Sequence, residues 1–170
     1  MKDCKPFFIL LLLIIFESVS INAQNNFAYI NTELLISQME ESKLVNEELI
    51  KLGEKYDEEF RILYTEYDTK RKKYESEASS NSASVNSVRA HELSQMEDKM
   101  QEFSKRASDV LHHKKNELMK PVLAKMNKAI EEVAEENGID FVIDTAKNEL
   151  AYTNNKLDLI EKVKKKLGID

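Results

Sequence analysis

The sequence is poor in cysteine, histidine, glycine and proline. Its single cysteine, Cys4, sits in an N-terminal segment expected to be removed, so the remaining chain has no thiol to pair or to bind metal. An exported protein without disulfides must hold itself together by packing or by oligomerisation. There are three glycines, and none belongs to a phosphate-cradling loop, which argues against ATP-driven action. There are three histidines. His91-Glu92-Leu93-Ser94-Gln95 opens like a zinc-protease helix but has Gln95 where the second ligand belongs. His112 and His113 are adjacent, about 100° apart on a helix, and cannot readily share an ion. No catalytic constellation, metal site or cofactor site is expected. The net charge is −6, a poor match for nucleic acid. The one long apolar run, Phe7 to Phe16, is about half the ~20 residues a membrane span requires.

That run follows Lys2 and Lys5 and is followed by Ser18-Val19-Ser20-Ile21-Asn22-Ala23. A charged start, a short apolar core and a small-residue site define a secretory signal peptide, expected over residues 1–23 and cut near Ala23.

Glycine and proline are also absent from Glu54 to Lys120, a largely charged stretch with apolar residues every three or four positions. Such a stretch is one very long helix or two helices folded back on each other, and the polar run Ser79 to Ser87 reads as the tip of a hairpin. The outgoing arm, from about Ser42, carries Leu49, Leu52, Tyr56, Phe60, Leu63, Tyr67 and Tyr74 at heptad-like steps. Its length is roughly 50 Å. The returning arm, from about Val88 to Asn137, carries Leu93, Met96, Met100, Phe103, Ala107, Val110, Lys114, Leu118, Val122, Met126, Ile130 and Val133. Tyr, Phe, Met and Ala pack less uniquely than the Leu, Ile and Val of a tight coiled coil. Ile62, Tyr64 and Met119 fall off the seam and are expected on an exposed apolar face. Pro121 interrupts the returning helix and is expected to kink it as a hinge.

Outside the arm, Phe27 to Asn31 is β-prone, and Asn31 or Thr32 can cap a first helix through Leu34, Leu35, Ile36 and Met39. The pair Glu40-Glu41 with Ser42 is expected to form the joint to the arm. Asn137-Gly138 ends the returning helix with a left-handed cap. Ile139 to Asp144 and Glu149 to Thr153 read as two strands of a hairpin. Leu157, Ile160, Val163 and Leu167 form a last helix closed by Gly168. The fold class is therefore α+β, mostly α. A small β body of three short strands per chain, from residues 24–41 and 138–170, carries an antiparallel coiled-coil hairpin arm at 42–137 with its tip near 78–88. Three short strands make no stable sheet alone, and their edges invite pairing with copies of the same chain.

One charged feature stands apart. Lys70, Arg71, Lys72, Lys73 and Arg89 surround the tip, while the rest of the arm is acidic. A basic tip can touch anionic lipid headgroups or lipopolysaccharide-like material.

The order of these elements, with Ala28-Tyr29-Ile30-Asn31 at the start and Gly138-Ile139-Asp140-Phe141-Val142-Ile143-Asp144 before Leu150-Ala151-Tyr152 at the end, resembles the Skp (OmpH-like) periplasmic chaperone family. The resemblance spans essentially the whole chain after the leader. It implies a homotrimer joined through Phe27, Tyr29, Ile30, Phe141, Val142, Ile143 and Tyr152. It implies a periplasmic, ATP-independent holdase that keeps unfolded outer-membrane β-barrel proteins from aggregating in a cavity between the arms. Inward-facing members of Tyr56, Phe60, Tyr64, Tyr67, Met96, Met100 and Phe103 would contact the client. The family's arms are often basic, and this chain departs from that with a net charge of −6. The competing reading is a structural or adhesive envelope coiled coil without clients.

Overall fold

The computed structural model describes residues 26–147, 150, 152 and 154–169. The expected leader, and positions 149, 151 and 153 of the expected third strand, lie outside them.

Strand β1, Phe27–Ile30, buries alternate residues: Ala28 and Ile30 face inward, and Phe27 faces out. The next residue, Asn31, caps helix α1, Thr32–Gln38, by accepting a hydrogen bond from the Leu34 amide at 2.9 Å. Met39 then takes an extended conformation, with its side chain buried, and turns the chain into helix α2, Glu40–Glu77. The joint is thus Met39. Glu40 and Glu41 are not the joint but the first turn of α2, where carboxylates suit the positive end of the helix dipole.

A single 3-10 turn, Ala78–Ser80, reverses the chain. Helix α3 spans Ala83–Glu136 and begins earlier than the polar sequence implied. The Ser82 hydroxyl caps it at the Val85 amide, and the Asn86 side chain donates to the Ala78 carbonyl at 2.9 Å. Serine and asparagine are poor inside a helix but good in its first turn. At 1.5 Å per residue, the 38 residues of α2 reach about 57 Å. Pro121 lies inside α3, and its missing amide leaves the Glu117 carbonyl without its usual helical donor.

Asn137-Gly138 ends α3 as expected. Gly138 has φ 61°, its amide donates to Glu135, and the Ile139 amide reaches back to Ala134 at 2.9 Å, a Schellman closure. Strand β2, Phe141–Asp144, then pairs with β1, parallel, in the register Phe27 to Phe141 through Ile30 to Asp144. The expected hairpin with residues 149–153 is not what β2 forms among the described residues. Thr145 folds back instead, its amide donating to the Ile30 carbonyl at 2.9 Å, and Leu150 and Tyr152 are in no strand. Parallel strands need a long crossover, and here the whole arm supplies it. Both strand ends are tied. Asp140 accepts from the Asn26 amide at 2.9 Å, and Asp144 accepts from the Thr32 hydroxyl at 2.7 Å. On its other side β1 meets Asp158 in an isolated bridge. Leu157 sits in the 3-10 turn Asn155–Leu157, and helix α4, Ile160–Leu167, closes at Gly168 with φ 71°.

The core lies where these pieces meet at the root of the arm. Ala28, Ile30, Leu35, Met39, Val45, Val122, Met126, Ala129, Val133, Leu159 and Val163 are buried together. Each large member contributes about 1.5–3 kcal/mol by leaving water. Above this root the two arm helices continue with few fully buried side chains.

Candidate functional site

The arm has two kinds of surface, the seam between its helices and its outer faces. Heptad spacing places Tyr56, Phe60, Tyr67, Met96, Met100 and Phe103 in the seam, where all six are half-buried. Tyr56 meets Phe103 edge-on with ring centroids 6.0 Å apart, and Phe60 lies 6.4 Å from the same ring. Of the seven residues expected to meet a client, Tyr56 and Phe60 thus pack on Phe103 across the seam, Tyr67 bonds to Glu97 across it, and Met96 and Met100 line a cleft beside it. The seventh, Tyr64, points outward and is 51% exposed, as is Ile62 at 60%. Met119 packs against the root core instead of standing free.

The expected seam holds with one exception on α3. Val110 is exposed, and Leu111 takes its place between Ala107 and Lys114. Leu44, Ile50, Leu123 and Val88 are further outward apolar residues that the periodicity did not single out. Each lies off the heptad stripe, so the spacing does not mark it. Around Gly53, whose missing side chain leaves space, Tyr56, Phe60, Phe103 and Leu111 line an open groove of about 540 Å³.

The tip is basic in sequence but largely neutralised in space. Lys70 pairs with Glu92 at 2.7 Å and with Glu66 at 3.5 Å. Arg71 pairs with Asp68 and Glu75, both at 2.8 Å, and Lys72 pairs with Asp68 at 2.6 Å. Arg89 pairs with Glu77 at 2.6 Å and lies 4.6 Å over the Tyr74 ring. Several of these carboxylates flank the cations by one helical turn or face them from the other helix. The hydrogen bond from Lys70, then that from Tyr74, holds the Glu92 carboxyl below the usual range. Hydrogen bonds to Glu97 and Glu92 push the Tyr67 and Tyr74 hydroxyls up in turn.

The β body has its own apolar face. The Phe27 and Phe141 rings stack at 5.3 Å across the parallel pair and remain 48% and 54% exposed. Tyr152, at 88%, and Leu157 are also open to solvent. Tyr29, Val142 and Ile143 are half-buried, while Ile30 is enclosed within the chain.

Residues 26–167 match the model of a family described as outer membrane protein (OmpH-like). No curated protein sequence matches the chain significantly. Among solved structures, the crystal structure of a candidate outer membrane chaperone (OmpH-like) from Caulobacter crescentus CB15 is similar. Its TM-score is 0.65 at 15% identity, over 85% of this chain and 85% of that one. At that identity the likeness is one of fold.

Proposed function

The chain belongs to the OmpH-like outer membrane protein family, and on that premise we propose that it is a periplasmic chaperone. In this reading it holds unfolded outer-membrane β-barrel proteins without ATP and keeps them from aggregating. Such a client exposes apolar strand faces and unpaired edges in water. A holder for it needs long reach and many weak, non-specific apolar contacts, not one deep pocket.

The observation that carries the reading is the arm. Its outgoing helix is about 57 Å long, root included, and its outer faces present apolar side chains such as Ile62, Tyr64, Ile50 and Leu123. We assign the first client contacts to these residues. Tyr56, Phe60, Tyr67, Met96, Met100 and Phe103 serve mainly to pack the arm, with Tyr56, Phe60 and Phe103 reachable from the Gly53 groove.

The body's open face supports assembly into a trimer with a cavity between the arms. Two paired strands are too few for independent stability, and the stacked Phe27–Phe141 pair leaves apolar area for another copy to cover. Contact of the tip with lipid or lipopolysaccharide is a minor part of the proposal, because Lys70, Arg71, Lys72 and Arg89 already hold carboxylates.

The test is dilution of a urea-unfolded outer-membrane β-barrel into buffer with the protein and without ATP, followed by light scattering. Suppression that saturates near one trimer per client supports the proposal. No suppression at any excess rejects it in favour of a structural coiled coil.

A further inference from the structure

The seam changes character along its length. Near the root it encloses fully buried apolar residues. Toward the tip, among the described residues, none is buried beyond Val45 on α2 or before Ala107 on α3. Beyond the contacts of Tyr56 and Phe60 with Phe103, the helices are joined across the gap by polar groups. The Tyr67 hydroxyl donates to Glu97, Lys70 donates to Glu92 at 2.7 Å, Tyr74 donates to Glu92 at 2.6 Å, and Arg89 donates to Glu77 at 2.6 Å. Beside the Lys70–Glu92 pair lies an open cleft of about 330 Å³ that Leu63, Met96, Met100 and Gln95 help to line.

We propose that the distal arm is a polar latch: its two helices part locally, and the parting turns Leu63, Tyr67, Met96 and Met100 into an apolar clamp for an unfolded polypeptide. The clamp's partner rests on the chaperone reading; the motion does not. Segments with few buried apolar contacts and exposed polar bonds open at lower free energy than the core they extend from. Methionine and tyrosine side chains, once released, adapt to varied partners.

The latch depends on charge. Glu92 faces Lys70 and Tyr74 from α2 and Arg89 from its own helix, and Glu66 competes for the same Lys70 ammonium. Glu97 faces Tyr67, which Arg71 and Tyr64 also neighbour, and Glu77 faces Arg89. Glu92 is held below the ordinary carboxylate range, so its bonds are intact above that range and are lost as pH falls through the depressed value. Tyr67 and Tyr74 are pushed up and remain hydrogen donors throughout neutral pH. The latch is therefore closed at neutral pH and loosened by acid.

Two spin-label pairs test this in the full chain carrying Cys4→Ser. One pair spans the tip (Ser76→Cys with Ala90→Cys) and one spans the root (Glu47→Cys with Lys115→Cys). Glu92→Gln combined with Glu97→Gln is expected to lengthen and broaden the tip distance while the root distance is unchanged, and wild type at acid pH is expected to do the same. Unchanged tip distances under both conditions, or tip and root opening together, overturn the latch. The double variant is also expected to capture urea-diluted β-barrel severalfold faster, and Met96→Ser with Met100→Ser to cancel that gain. An opened tip with no gain in capture overturns the clamp but leaves the chaperone reading intact while wild type still protects. A wild type that protects nothing removes the chaperone reading and the clamp together, and the spin-label distances still decide the latch.

Discussion

Asp144 ends β2, and Thr32 begins α1 at the far end of the chain's long detour through the arm. Replacing Asp144 with Ala removes, among the described residues, the acceptor for the Thr32 hydroxyl at 2.7 Å, the Thr32 amide at 3.2 Å and the Ala146 amide at 3.0 Å. Hydrogen bonds to a charged group contribute about 1.5–3 kcal/mol, but at this half-buried site water replaces part of the loss. We expect a destabilisation of about 2–3 kcal/mol, or roughly 4–12 °C in Tm for a chain of this size. The assay is thermal unfolding by circular dichroism at fixed protein concentration, run as a cycle with Thr32→Val. That second change removes only the 2.7 Å bond, and it should cost little once Asp144 is gone. Burial pushes the Asp144 carboxyl up, and the bonds from Thr32 and Ala146 outweigh it, so the group lies below its usual value. Its stabilisation is complete above the ordinary aspartate pKa and is lost as pH falls through the depressed one. The gap between wild type and Asp144→Ala should therefore be wide at pH 6 and narrow toward pH 3. Two changes that add to within about 0.3–0.5 kcal/mol would refute the direct contact. A gap that is constant with pH would refute the role of the charge.

Leu35, fully buried in the root core, should cost about 2–5 kcal/mol as Leu35→Ala in the same assay. Gly138→Ala meets no neighbouring atom but keeps φ at 61°, so the change should cost about 1–2 kcal/mol from backbone strain alone. Ile62→Ser with Tyr64→Ser, both outward-facing, should leave stability within about 0.5 kcal/mol while weakening client protection in light scattering. Phe27→Ser with Phe141→Ser should leave the arm helical by circular dichroism and shift sedimentation toward the monomer.

Helical periodicity is a local property, and so the arm was legible in residues alone. Leu49 through Tyr74 recur at the spacing that puts one stripe on one face, whatever lies opposite. The caps were legible for the same reason, since Asn31 and Gly138 act on the helix ends they adjoin. Val110 shows where this stops. From Ala107 to Lys114 the seam can step through position 110 or 111, and both steps are helical. Only the docking of α3 against α2 selects Leu111.

The remaining features depend on which segments meet in space. The run after Asp144 looks like a hairpin turn, yet it folds onto Ile30, because the arm brings β2 back beside β1 in the same direction. Lys70 to Lys73 form a basic run in one dimension, but Glu92 on the returning helix faces Lys70, and Asp68 reaches Arg71 and Lys72 one turn away. The aromatic and methionine residues of the stripe looked equally available to a client, and pairing across the seam divides them into the packed and the exposed. The sequence by itself determined that the arm is helical, that α3 ends at Asn137-Gly138 and which face of each arm helix is apolar, because those follow from neighbours along the chain. The tertiary structure alone decided strand direction, seam register and the pairing of Lys70 with Glu92, because those follow from contacts between residues that the long arm carries apart and then returns to one place.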